Sequence, residues 1–157
     1  MQKITPFLWF NDQAEEAVKF YTSVFKNSKI GSMARYDEAA AAAAGRPKGS
    51  VMTASFQLDG QEFIALNGGP IFQFTEAISF VVNCDTQKEI DYYWEKLSEG
   101  GQESQCGWLK DKFGLSWQII PSSLSRLISG PDKEKSKRAM GALMKMSKLV
   151  IAELENA

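Results

Sequence analysis

Apolar residues recur along this chain with two different periods. In one segment Ala14, Ala17, Val18, Tyr21, Val24 and Phe25 follow the 3.6-residue spacing that puts them on one side of a helix. Ile90, Tyr93, Trp94 and Leu97 do the same in a second segment. Asp12 with Glu15, and Thr86 with Glu89, have the spacing of a capping box at the two helix starts. Between and around the helices lie short runs rich in aromatic and β-branched residues, which predict strands over 4–10, 29–36, 51–58, 61–67 and 76–83. The density of aromatics in 4–10 predicts a strand buried on both faces. Asp59-Gly60 predicts the tight turn of a hairpin joining 51–58 to 61–67. A second hairpin is predicted in GWLKDKFGLSWQIIP, residues 107–121, with strands at 109–112 and 115–120 and a turn at Phe113-Gly114. Pro121 has no N–H to give a ladder and is expected to end it. Lys110, Asp111 and Lys112 read as a solvated strand edge.

Two stretches fall outside this alternation. Residues 37–49 hold six consecutive alanines, 39–44. Alanine favours helix, but six residues are too few to be stable alone. The stretch reads as a surface excursion, with a mobile lid over a pocket as the alternative. After Pro121 the chain turns helical: a short helix over 122–129, then a restart at Gly130-Pro131-Asp132. Met140, Leu143, Met144, Ile151 and Leu154 form its apolar stripe. That stripe is expected to pack on the chain's own sheet or on a second subunit, rather than to serve as an adaptable methionine surface for another partner.

The two helical segments superpose at a constant offset. Val18 falls on Ile90, and Asn11 on Asn83, an offset of 90 − 18 = 72 residues. Phe20-Tyr21 falls on Tyr92-Tyr93 and Phe25 on Leu97. Both halves read strand, helix, then three strands, as a duplicated supersecondary unit does. The expected fold is therefore α+β, with two βαβββ modules forming a cleft, plus C-terminal helices. The boundaries expected are 1–75 for the first module, 76–121 for the second and 122–157 for the helical extension, all within one compact domain.

Composition narrows the function. At 157 residues and 44% hydrophobic, the chain can bury a real core. Its net charge of −1 provides no electrostatic basis for nucleic-acid binding. No apolar run approaches membrane-spanning length, and the N-terminal residues read as a strand rather than a signal peptide. Cys84 and Cys106 suit a reducing compartment as free thiols, so a cytoplasmic location is expected. Cys84 opens the second helix, where the dipole would favour thiolate, but neither cysteine has a histidine partner and a nucleophilic role is not expected. There is no histidine at all, which removes the commonest general base and the commonest metal ligand together.

The blocks ITPFLWFNDQAEEAVKFY, LNGGP, ISFVVNCDTQKEIDYYWEKLSEGG and CGWLKDKFGLSWQIIPSSL occur in this order. They resemble the PhnB-like branch of the vicinal oxygen chelate superfamily, the glyoxalase and bleomycin-resistance fold. Much of that branch carries the designation 3-demethylubiquinone-9 3-methyltransferase. The resemblance implies a ligand cleft whose metal-using members take four ligands, His, Glu or Gln, from the first, fourth, fifth and eighth strands. Carried over by strand alternation, the cleft positions are Thr5, Phe7 and Trp9, then Ala65 and Asn67, then Ala77, Ser79 and Val81, then Ser116, Gln118 and Ile120. The carboxylate expected on the last strand is Gln118, and no imidazole fills another slot. Amides and hydroxyls are poor ligands for a divalent transition metal, so neither a metal nor another cofactor is expected. The methyltransferase designation implies a methyl-donor site with a Gly-rich turn after the first strand. Here that strand runs directly into Asn11-Asp12-Gln13.

The ligand-pocket candidates are Thr5, Phe7, Trp9, Asn67, Ser79 and Gln118. The expected function is metal-independent binding of a small organic molecule in a homodimer. Two alternatives are a metal-independent enzyme of the superfamily (lyase, isomerase or methyltransferase) and a structural or regulatory dimer with a filled cleft. A carboxylate or lysine in the pocket, with Glu62 or Arg35 as candidates, would favour the enzyme.

Overall fold

Strand alternation sets the first sheet. The structure, a computed structural model describing residues 1–157, divides into two compact units, Met1–Phe74 and Thr75–Ala157. The first unit contains β1 (Phe7–Phe10), α1 (Ala14–Val24), β2 (Lys29–Arg35), α2 (Glu38–Ala44), β3 (Val51–Leu58) and β4 (Gln61–Asn67). The strand order is β1-β4-β3-β2, with β1 parallel to β4 and the other pairs antiparallel. Leu8 and Phe10, Ala54, Phe56 and Leu58, and Phe63 and Ala65 are buried on the face under α1. Ala14, Ala17, Val18, Tyr21 and Val24 of α1 are buried against it. Tyr21, Phe56 and Phe63 stack in succession, with ring centroids 6.3 and 5.3 Å apart. Each such side chain contributes about 1.5–3 kcal/mol by leaving water.

Three local expectations change in this unit. β1 is not buried on both faces: Leu8 and Phe10 are buried while Phe7 is 55% exposed. The helix covers one face of the sheet, so alternation prevails over aromatic density. The start of α1 is not held by Asp12 and Glu15. Its N-cap, Gln13, makes no side-chain bond, and the Ala14 N–H donates instead to Asn67 Oδ1 at 2.8 Å. The alanine run is helical as α2, because both its ends are closed. Asp37 Oδ1 accepts from the Ala40 N–H at 2.8 Å, and Gly45 ends the helix at φ 66°. Asp59 and Gly60 both take positive φ, 48° and 80°, the geometry of the expected hairpin turn.

The second unit repeats the plan. It holds β5 (Ser79–Cys84), α3 (Gln87–Ser98), β6 (Gln102–Glu103), β7 (Trp108–Lys110), β8 (Ser116–Pro121), α4 (Leu124–Ile128), α5 (Lys133–Leu143) and α6 (Ile151–Glu155). The strand order β5-β8-β7-β6 is that of the first sheet. Phe7 pairs with Ile64 and Ser79 with Ser116, so the first residues of β1 and β5, 79 − 7 = 72 apart, each open a parallel ladder to the last strand of their own unit. Thr86 Oγ1 accepts from the Glu89 N–H at 3.2 Å, and Glu89 Oε2 accepts from the Asp85 N–H at 2.9 Å. Ile90, Trp94 and Leu97 of α3 are buried, as are Leu109, Trp117 and Ile119 of the sheet. Gly101 passes so close to the Lys110 carbonyl that a Cβ there would collide with it.

Asp111 is not a solvated edge residue. It is 2% exposed and organises the β7–β8 turn. Its Oδ1 accepts from the N–H groups of Phe113 (2.8 Å) and Leu115 (3.1 Å), and its Oδ2 from the Trp117 indole (2.9 Å). Pro121 ends the strand as expected. It is the last residue of β8 and pairs in parallel register with Cys84, where no N–H is needed from it.

The C-terminal stripe does not form one helix. Leu143, Met146, Leu149 and Leu154 are buried with Leu127, while Met140 and Met144 are 39% and 63% exposed. Residues 144–150 run as a strap held by backbone and side-chain bonds that a helix could not make. The Cys106 and Gly107 N–H groups donate to the carbonyls of Met146 and Ser147, both at 2.8 Å. Gln87 Nε2 donates to the Leu149 carbonyl and Gln87 Oε1 accepts from the Ile151 N–H. The Lys148 ammonium stands 2.8 Å from Asp91 Oδ1. Lys148, then Gln87, holds the Asp91 carboxyl below its usual range. A depressed carboxyl contributes above its unfolded pKa and loses that contribution as pH falls through the folded one, so this tie is intact at neutral pH.

Removing the Asp111 carboxylate would leave three N–H groups without their acceptor. Asp111→Ala is expected to lower stability by about 3 kcal/mol in urea unfolding, whereas Lys112→Ala next to it, exposed, should stay within about 0.5 kcal/mol.

Candidate functional site

The face of each sheet turned away from its helix carries the candidate residues, and the two faces differ in chemistry. On the first sheet the far face presents Phe7 and Trp9 from β1, and Ile64 and Leu66 beside them on β4. Thr5, just before β1, lines a shallow depression of about 190 Å³ with Lys29, Ser55, Gln57, Glu62 and Ile64. Glu62 is thus in a pocket, whereas Arg35 is exposed and its Nη1 donates to the Gly49 carbonyl at 3.2 Å. The Trp9 indole N–H donates to the Gly69 carbonyl at 3.0 Å, and the Phe72 ring meets it edge-on at 5.0 Å. Gly68 lies so close beneath the indole that any side chain there would displace it.

Asn67 stands on the opposite face. Phe63, Ala65 and Asn67 are buried toward α1, so the far-face residues of β4 are Ile64 and Leu66 rather than Ala65 and Asn67. A shift of one residue along a strand exchanges its faces. The Asn67 amide is consumed there: Oδ1 accepts from the Ala14 N–H, and Nδ2 donates to the Val51 carbonyl at 3.2 Å. The Tyr36 hydroxyl donates to the Asn67 backbone carbonyl.

The second sheet brings Ser79 and Gln118 together. Gln118 Nε2 donates to Ser79 Oγ at 2.9 Å. The register builds a polar row across all four strands around them. Gln102 on β6 faces Lys110 on β7, Lys110 faces Ser116 on β8, and Ser116 faces Ser79 on β5. Beside this row lies a depression of about 440 Å³ lined by Glu76, Gln102, Gln105, Trp108, Lys110 and Ser116. Ser116 is 1% exposed, and its hydroxyl has no hydrogen-bond partner. Glu76 and Lys110 form an ion pair at the rim. The bond from Lys110 is the main cause holding the Glu76 carboxyl below its ordinary range. Nothing in the local sequence marks Glu76, and Lys110 there reads as part of a solvated edge. Counting back from Gln118 by twos and across the hairpin reaches Ser116 and Lys110, but only once the turn length is known.

The family's metal does not fit these faces. The β1, β4, β5 and β8 positions that face away from the helices hold Phe7 and Trp9, Ile64 and Leu66, Ser79 and Val81, and Ser116 and Gln118. None is a carboxylate or imidazole, and no three His, Cys, Asp or Glu side chains gather anywhere in the chain as a metal would require.

Two four-stranded mixed sheets, each with a helix on one face, define the glyoxalase and bleomycin-resistance type of α+β module. The genomically encoded fosfomycin resistance protein FosX from Listeria monocytogenes shares this fold at 13% identity, with TM-score 0.52 over 77% of this chain and 92% of that one. Residues 2–120 match the model of the 3-demethylubiquinone-9 3-methyltransferase family, and the chain belongs to that family, the PhnB-like branch of the vicinal oxygen chelate superfamily. The PhnB protein from Bacillus cereus is 42% identical, with TM-score 0.67 over 76% of this chain and 99% of that one. Protein PA1353 from Pseudomonas aeruginosa is 20% identical, with TM-score 0.62 over 77% of this chain and 98% of that one. No curated protein matches the sequence.

The two thiols are free and differ sharply. Cys84 is fully buried, and burial, followed by the carboxylates of Glu89 and Asp85, pushes its pKa up to about 12. The helix dipole does not make it a thiolate. Iodoacetamide at about pH 8 is expected to modify Cys106, which is partly exposed, and to leave Cys84 untouched until urea unfolds the chain, as read by peptide mass spectrometry.

Proposed function

We propose that this chain binds a small organic molecule without a metal, on the far faces of its sheets. The observation that carries this reading is the second sheet's depression. Its volume of about 440 Å³ falls in the range of small-molecule sites, and it combines an indole wall with a few convergent polar groups. Binding is favoured over catalysis by the state of the one carboxylate there. The bond from Lys110 moves the Glu76 carboxyl below its ordinary range, away from neutrality, whereas a general acid or base works best with a pKa near the operating pH. The donor set supports metal independence, since its one carboxylate, Glu76, is paired with Lys110 and no histidine stands beside it.

We also propose a homodimer and a cytoplasmic location. Phe7 and Val81, 55% and 49% exposed on the sheets' far faces, support a partner surface. Two free cysteines support a reducing compartment. No helix is long and apolar enough to cross a membrane.

Native mass spectrometry of the purified protein tests ligand, metal and oligomer together. The expected spectrum shows a dimer with a non-covalent organic adduct that is lost on unfolding. Stoichiometric zinc, nickel, manganese or iron surviving a chelator wash would overturn the metal-independent reading. The methyltransferase designation is tested separately, by titration calorimetry with S-adenosylmethionine. No micromolar binding is expected, because β1 leads into Asn11-Asp12-Gln13 and α1 without a Gly-rich turn.

A further inference from the structure

The polar row on the second sheet has one member whose chemistry is unfinished. Ser116 Oγ is buried and bonded to nothing, although buried hydroxyls are almost always satisfied. Directly across the ladder stands Lys110, and the Trp108 indole lies on the same strand two residues away. All three line the depression. Lys110 engages Glu76, whose side chain is 60% exposed against 36% for Lys110, so the acid is the more solvated partner of the pair. An ammonium has three N–H donors, and one carboxylate oxygen does not exhaust them. Glu76 is the only acid of the lining, whereas hydroxyl, ammonium, indole and amide donors surround it.

We propose that this depression binds a small organic carboxylate. The acid group accepts from the Lys110 ammonium and the Ser116 hydroxyl, and the apolar remainder lies against Trp108. Glu76 then acts as a competitor: it holds Lys110 extended while the site is empty and yields it to the ligand. This rests on the ligand-binding reading above and adds the charge and orientation of the ligand.

Three probes of one shape test it, namely benzoate, benzamide and benzylammonium, each titrated into the full chain and followed by two-dimensional 1H–15N NMR. Benzoate is expected to shift the Trp108 indole signal and the Lys110 and Ser116 amide signals saturably, in the millimolar range. Lys110→Met and Ser116→Ala should each weaken it about tenfold, the effect of losing a hydrogen bond to a charged group. Glu76→Gln should strengthen it severalfold, a change no purely structural role for Glu76 would produce. The variants' unshifted spectra elsewhere verify that they remain folded. Equal binding of benzamide overturns the anion site while leaving the ligand-binding reading standing. Preference for benzylammonium overturns it in favour of Glu76. If no probe shifts these signals at about ten millimolar, the site is refuted, and native mass spectrometry alone then decides whether a ligand binds elsewhere.

Discussion

Three N–H donors converge on the Asp111 carboxylate, and the second sheet's chemistry depends on that convergence. The carboxylate takes two turn amides and the Trp117 indole at once. This fixes both the length of the β7–β8 turn and the side on which Trp117 lies. With Trp117 committed to the helix side, Ser116 and Gln118 must face away from it. The same turn places Lys110 opposite Ser116 and Trp108 opposite Gln118. A slip of one residue would bury the polar row and expose the indole. Asp111 does not itself line the depression, yet the lining depends on the register it holds.

Asn67 plays the corresponding part in the first sheet. A single amide caps α1 at Ala14 and ties the end of β4 to Val51 at the start of β3. It supplies the helix cap that the local sequence around Gln13 does not. The duplicated scaffold is thus closed by a buried polar side chain in each unit, at different places and with different chemistry. The outward faces have diverged further. The first carries Phe7, Trp9, Ile64 and Leu66, and the second carries Lys110, Ser116, Gln118 and Ser79. Family membership accounts for the shared plan. It does not account for the face chemistry, because strand faces hold their residues with little demand from the core.

The C-terminal residues follow neither the repeat nor the family match, which ends at residue 120. They attach through the 144–150 strap, whose ties to Cys106, Gly107 and Gln87 replace the helix that the methionine and leucine spacing predicts. The strap also steadies the Cys106-Gly107 turn, where both residues hold positive φ. That turn adjoins the depression, so the added segment supports one wall of the candidate site.

The sequence by itself determined the modules, their 72-residue repeat, the faces of both helices, the Asp59-Gly60 turn and the Thr86 cap. Each of these depends on residues close together in the chain, where periodicity and turn chemistry act directly. It also showed the lack of histidine and of a carboxylate at Gln118, and it placed Phe7, Ser79 and Gln118 on their sheet faces by alternation. Only the tertiary structure decided what depends on distant partners. Asn67 belongs to the helix cap because Ala14 lies across the sheet from it. Asp111 is buried because Trp117 folds back over the turn. The alanine run is a helix because Asp37 and Gly45 close it, and the C-terminal stripe is broken because the turn at 106–107 takes its carbonyls. The polar row is of this second kind: its four members come from four strands, and only strand register makes them neighbours.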